Sequence, residues 1–352
     1  MKCIKCQADC TYPQRSDGRC PKCRQQFAFE PRTGAIISDA GFESAISAVS
    51  SQGSVRFLPE HVYYELARRK KGGGGGRAFM YTLGGAGAIA AIVATPLFLI
   101  GTAACIGIGA MMPPKKTVNV ERSTFDQMWS RWLDVHGAPK GLIVRRDATR
   151  GPYRSETQHA DIQHYSFDRA VICDRPETVD VLLANNFHFE NNCAVLAVTG
   201  YPEHAFSTVR DMLKNNPRLT VFALHDATPE GCGLAHKLAS DERWFRGSAR
   251  VVEVGIRPAH ARSLKGVWRA ATTPVDTAVV TDDERRWLTN YTCELAAIRP
   301  EQVIKRLFTA ITKEDTLQPA SDYIADGGDY YVDSFSFSRN SEASDGGDDS
   351  FG

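Results

Sequence analysis

Residues 79–112 run for 34 positions without one charged side chain, closed by Pro113-Pro114 and Lys115-Lys116. In a chain that is 24% charged, such a stretch is long and apolar enough to predict a transmembrane segment within residues 78–114. As one helix it would reach about 51 Å against a hydrocarbon core of about 30 Å. Pro96 divides it into two halves of about 25 Å each, and Gly84, Gly85, Gly87, Gly101, Gly107 and Gly109 would let two short helices pack closely. Both flanks are basic, which favours both ends on the cytoplasmic side of an inner membrane. A helical hairpin is therefore expected, with a single tilted span as the alternative.

The first thirty residues carry Cys3-x-x-Cys6 and Cys20-x-x-Cys23. Each turn can present two thiolates to one tetrahedral ion, and two turns complete a four-sulfur shell. So short a stretch cannot bury a core, so a structural zinc would supply its folding energy. A zinc ribbon over residues 1–30 is expected, with Cys10 able to replace one ligand. Its Lys2, Lys5, Arg15, Arg19, Lys22 and Arg24 permit phosphate contact or simply face water. The opening MKCIKCQADC has no apolar core of the signal-peptide kind, and a reducing compartment is expected.

Net charge is +1, which argues against a polycation built for duplex DNA, but the charge is unevenly spread. Residues 1–77 carry a net +6 and residues 315–352 a net −8. Within the accessory region of residues 31–77, Phe42, Ala45, Ile46 and Val49 fall at helical spacing, as do Val62, Leu66 and Arg69. A basic patch and the linker Gly72–Gly76 follow. The Gly-, Ser- and Asp-rich tail is too poor in core-forming residues to fold and is expected to be disordered.

After a connecting helical region, residues 115–168, with Phe125, Met128, Trp129, Trp132 and Leu133 on one face, the chain changes pattern. Apolar runs near 170–173, 193–198, 219–224 and 251–256 alternate with helix-like stretches. That alternation predicts βαβ units and a buried parallel sheet, an α/β domain over residues 169–314. Ligands of open α/β sheets bind beyond the carboxyl ends of the strands. Asp174, Thr199-Gly200 and Asp226 fall there. Two carboxylates and a glycine turn are the ingredients of a magnesium–phosphate site. The alternative is that Asp174 and Asp226 cap the following helices.

The stretches Val198-Thr-Gly-Tyr-Pro-Glu and Val221-Phe-Ala-Leu-His-Asp-Ala-Thr-Pro-Glu-Gly231 resemble the Toprim domain of the topoisomerase VI A-subunit family. Residues 295–307, after Glu294, are similar to a helical element near that family's C-terminus. The resemblance covers about residues 169–310. It implies a Toprim-like fold whose acids hold magnesium: a Glu after the first strand and an Asp-x-Asp after the third. Here Asp226 matches the first Asp, Thr228 stands at the second, and Cys173 or Asp174 replaces the Glu. Glu230 is a possible substitute ligand. The residues between Lys116 and the first strand are too few for the family's nucleophile-bearing domain.

Two functions follow as expectations. The first is a membrane-anchored zinc-ribbon protein whose degenerate, non-catalytic Toprim-like domain binds a protein partner or nucleic acid at the cytoplasmic membrane face. The alternative is a magnesium-dependent phosphoryl-transfer enzyme, a nuclease or nucleotide hydrolase, using Asp174, Asp226 and Glu230.

Overall fold

The structure, a computed structural model, describes residues 1–31, 34–69, 117–144, 167–216, 218–264, 266–275, 279–317 and 331–332. The expected transmembrane segment lies outside the described residues, as does the acidic tail apart from residues 331–332 and residues 315–317, which were expected to be disordered but form the end of the last helix. Among the described residues no helix is long and apolar enough to cross a membrane.

Four parallel strands form the centre: β1 (Arg169–Cys173), β2 (Cys193–Ala197), β3 (Thr220–Leu224) and β4 (Arg250–Glu253). They lie in the order β2-β1-β3-β4, and a two-residue strand at Tyr331–Val332 pairs parallel with β4. The central strands are almost continuously apolar because helices cover both faces of the sheet. Alternate residues separate cleanly. Val171, Cys173, Val195, Phe222 and Val252 join one core, and Ala170, Ile172, Leu196, Val221 and Val251 join the other.

The helical segments preceding the sheet share the first of these cores. They are α1 (Asp39–Val49), α2 (Pro59–Arg69) and α3 (Arg122–His136). Phe42 and Trp132 stack with centroids 4.8 Å apart, and Phe29, where the cysteine-rich segment ends, lies 5.1 Å from Phe42. The fully buried Asp39 ties these parts together. Its carboxylate accepts the N–H groups of Ala28 and Phe29 at 2.9 and 2.8 Å and lies 2.7 Å from Nε2 of His136.

The connections after the strands are α4 (Pro176–Ala184), α5 (Phe187–Glu190), α6 (Glu203–Lys214), α7 (Pro229–Cys232), α8 (Leu234–Ser240) and α9 (Pro258–Ala261). The helix-like stretch between β3 and β4 is thus two helices, divided at Gly233. A short antiparallel pair, β5 (Arg269–Ala270) with β6 (Tyr291–Thr292), flanks α10 (Asp282–Leu288). A 3₁₀ turn at Leu295–Ala297 then leads into α11 (Pro300–Leu317). The helical element expected at residues 295–307 therefore begins as this turn, with the helix proper starting at Pro300.

Candidate functional site

The cysteine-rich segment is built from two matching turns. Cys3 N–H bonds Ala8 O and Gln7 N–H bonds Cys3 O; Cys20 N–H bonds Gln25 O and Arg24 N–H bonds Cys20 O. The residue after each second cysteine takes a left-handed backbone, Gln7 at φ 58° and Arg24 at φ 59°. The result places Cys3 Sγ 3.6 Å from Cys23 Sγ and Cys6 Sγ 3.6 Å from Cys20 Sγ. All four sulfurs lie within 4.8 Å of one another. A tetrahedron of about 2.3 Å zinc–sulfur bonds has edges of about 3.8 Å, so the quartet is compatible with a structural zinc.

The backbone N–H of Cys23 draws the Cys20 thiol down to about 6 against the effect of burial, with Lys22 N–H adding to it. Against the N–H of Gln25, burial and the other three sulfurs push Cys23 up to about 12. Four crowded thiols that cannot all ionise alone are what a divalent cation resolves, because its charge offsets the repulsion. Cys10 is buried with Sγ 3.9 Å from Cys20 Sγ and directed at Ala8 O, outside the quartet. Of the six basic residues expected on this surface, Arg15 is buried and paired with Glu30 at 2.8 Å. Lys2, Lys5, Arg19, Lys22 and Arg24 are exposed.

The second cluster sits where β1 and β3 end. The chain leaves β1 for β2 on one side and reaches β3 on the other, so this is the point at which strand order reverses. Asp174 Oδ2 accepts the backbone N–H of Asp226 at 2.8 Å, and Asp226 Oδ1 accepts that of Leu295 at 2.6 Å. Neither aspartate caps a helix. The N-cap of α4 is Arg175, and the N-cap of α7 is Thr228, whose Oγ1 accepts Gly231 N–H at 3.0 Å. Thr228 is thus committed to the helix start. A Cβ on Gly231 would lie 2.4 Å from Asp226 O and 3.2 Å from Asp174 Oδ2, so only glycine lets α7 approach the two acids.

Cations fill the surroundings. Arg175 Nε lies 2.7 Å from Asp226 Oδ2, and its Nη2 lies 3.5 Å from Glu294 Oε1. Arg269 Nη1 lies 2.5 Å from the same Glu294 oxygen. Burial pushes Asp174 above the usual carboxylate range, against the N–H of Asp226 and the charges of His225 and Arg175. Burial, reinforced by the charge of Asp174, pushes Asp226 well above it, with Arg175 and Leu295 N–H opposing. Asp174 Oδ1 and Asp226 Oδ2 are buried without a directed hydrogen bond, so the Arg175–Asp226 contact is a charge contact.

Behind the acids lies a second charged group. His225 Nδ1 lies 2.8 Å from Asp226 O, and Nε2 lies 2.9 Å from Glu253 Oε1. Arg257 binds Glu253 at 3.0 Å and grips Glu284 with two nitrogens at 2.8 and 2.5 Å. Burial raises Glu253, but His225 and Arg257 outweigh it and hold its carboxyl below the usual value.

Of the expected acidic residues, the fold brings Asp174 and Asp226 together. Glu230 is exposed on the first turn of α7, outside the hydrogen-bond network of the other two. The residues that complete the cluster, Arg175, Arg269 and Glu294, were not singled out for it from the sequence. Among the described residues only the cysteine quartet brings three or more metal-binding side chains within 4.8 Å of one another. The acidic cluster is compensated by the guanidinium groups of Arg175 and Arg269. No family model, curated protein or solved structure matches the chain.

Proposed function

We propose that this chain is a membrane-anchored zinc-ribbon protein whose Toprim-like domain is non-catalytic and serves as a nucleic-acid-binding module at the cytoplasmic membrane face. The reading rests above all on Arg175, which sets a fixed positive charge against Asp226 and Glu294. A hard-cation site needs anionic oxygens free to exchange with water and substrate, and here the protein's own guanidinium takes that role. Thr228 and Glu230 support the same conclusion, one used as a cap and the other turned to solvent. The exposed cations of the ribbon favour nucleic acid as the ligand, since phosphate contacts supply most non-specific affinity. Residues 79–112 supply the anchor.

The second reading, a magnesium-dependent phosphoryl-transfer enzyme, is favoured by the two buried aspartate oxygens that lack directed hydrogen bonds. Incubating the full chain with single- and double-stranded DNA and RNA in excess magnesium separates the two. The proposal expects intact substrates. Cleavage abolished by Asp226→Asn would promote the enzyme.

A further inference from the structure

We infer that the cleft between the first cysteine turn and helices α1 and α3 is a binding site for one nucleotide unit of a single-stranded nucleic acid, built only when the cysteine quartet holds its metal. The inference rests on the nucleic-acid-binding reading and gives that activity a place. The cleft has a volume of about 560 Å³, within the roughly 300–1,000 Å³ usual for small-ligand sites. A duplex does not fit a space of that size, whereas one base turned out of a strand does.

The chemistry of the walls matches such a unit. Ile4, Ile46, Val135 and Pro139 give an apolar surface against which a base can lie, and Gln25 and Gln52 offer amides to its edge. Lys5 and Lys140 both line the cleft and are exposed, and neither makes an ion pair among the described residues. Glu43 is the one carboxylate lining it, which leaves a net charge of +1 and suits the single negative charge of a phosphodiester. Two features position these groups. A Cβ on Gly53 would lie 3.3 Å from Lys140 Cδ, so the glycine lets the lysine stem lie across it. Ser51, Gln52 and Gly53 all have left-handed backbones, at φ 46°, 60° and 84°, a locally costly conformation of the kind retained at functional sites.

The metal enters through the walls. Ile4 and Lys5 lie between Cys3 and Cys6, and Gln25 follows Cys23 by two residues. Asp39 anchors the segment at Ala28 and Phe29, but the two cysteine turns that carry Ile4, Lys5 and Gln25 lie beyond that anchor, and the ion holds them to one another.

The test is fluorescence anisotropy with the zinc-loaded full chain in mild detergent and a labelled single-stranded oligonucleotide. Unlabelled duplex and a nucleoside monophosphate serve as competitors. The Lys5→Gln/Lys140→Gln double variant is expected to weaken strand binding by about tenfold and to reduce the salt slope by about 0.7, one single-strand phosphate contact. Glu43→Gln is expected to tighten binding, and Lys22→Gln, outside the cleft, to change it far less than the double variant. Zinc content of every variant should match the wild type, and chelation should cost at least as much as the double variant. Wild-type binding that the lysine pair leaves unchanged would overturn the cleft while the nucleic-acid reading stands. Competition by the monophosphate as effective as by the strand would overturn the strand as the source. No strand binding by the wild type would remove both.

Discussion

Arg175 Nε stands 2.7 Å from Asp226 Oδ2 in an ion pair that is buried on the carboxylate side and 43% exposed on the arginine side. Through the same guanidinium, the loop after β1 is tied to Glu294, just before the Leu295–Ala297 turn. Replacing it with Met leaves Asp174, Asp226 and Glu294 with Arg269 as the remaining close cation. Between the small worth of exposed pairs and the several kcal/mol of buried ones, Arg175→Met is expected to cost about 1–2 kcal/mol in urea unfolding. Arg175→Lys should recover part of that. A variant as stable as the wild type would mean that the pair contributes nothing.

The pH dependence of the same cluster has a definite sign. Asp174 and Asp226 are raised in the folded state, so between the ordinary carboxyl range and their folded values the native chain holds protons that the unfolded chain has lost. Stability from this source is therefore present at low pH and lost as pH rises through the folded values. Asp174→Asn removes one of the titrating groups. The stability of the variant relative to wild type should then grow as pH rises from 4 toward neutrality. A difference that stays flat with pH would show that the aspartates titrate normally.

Glu253 behaves oppositely. Its carboxyl is lowered from the model peptide value of 4.5, so it contributes stability above that pH that is lost as pH falls through its folded value. Glu253→Gln takes the carboxylate from His225 and leaves Arg257 with Glu284 as its counter-charge, and a loss of about 1.5–3 kcal/mol is expected at neutral pH. The variant should also lose part of the wild type's acid sensitivity. Chemical denaturation at several pH values measures both effects.

Two glycines should be intolerant for steric rather than conformational reasons. An added Cβ would meet Asp226 O at 2.4 Å from Gly231 and the His225 ring at 2.4 Å from Gly255. Each Gly→Ala variant is expected to lose about 1–3 kcal/mol, as overpacked sites do. By contrast, Gly18→Ala, where a Cβ meets nothing within 4 Å, should lose only what its φ of 72° imposes.

The cysteine quartet should bind one zinc per chain, with metal analysis as the measurement. Cys3→Ser or Cys20→Ser should lower zinc content sharply, whereas Cys10→Ser should leave it near the wild-type level. Cys10 Sγ approaches Cys20 Sγ at 3.9 Å but belongs to no four-sulfur set among the described residues. Equal loss from all three variants would put Cys10 in the shell.

Periodicity and spacing made the secondary structure and the cysteine site legible. The four strands lie where continuous apolar runs place them, α1, α2 and α3 lie where a 3.6-residue apolar period does, and two CxxC turns are a local signal that needs no long-range knowledge. The acidic site was half legible. Asp174 and Asp226 stand out because each follows a strand, but their partner Glu294 lies 68 residues beyond Asp226 in sequence and is brought in by the antiparallel bridge between Ala227 and Cys293. Arg175 has no sequence signal of its own, and its contact with Asp226 depends on how β1 and β3 are paired. Thr228 looked like a weakened metal ligand; the backbone of α7 makes it a cap. Nor does any sequence pattern reveal the cleft at Lys5 and Lys140, whose walls lie more than a hundred residues apart.

The central claim is that the acids at the ends of β1 and β3 are held by the protein's own cations and do not take up magnesium. Isothermal titration of the full chain with magnesium, beside Asp226→Asn, tests it most directly. The account predicts the same weak, non-saturating heats for both proteins. Saturable one-to-one binding by the wild type that Asp226→Asn abolishes would contradict it.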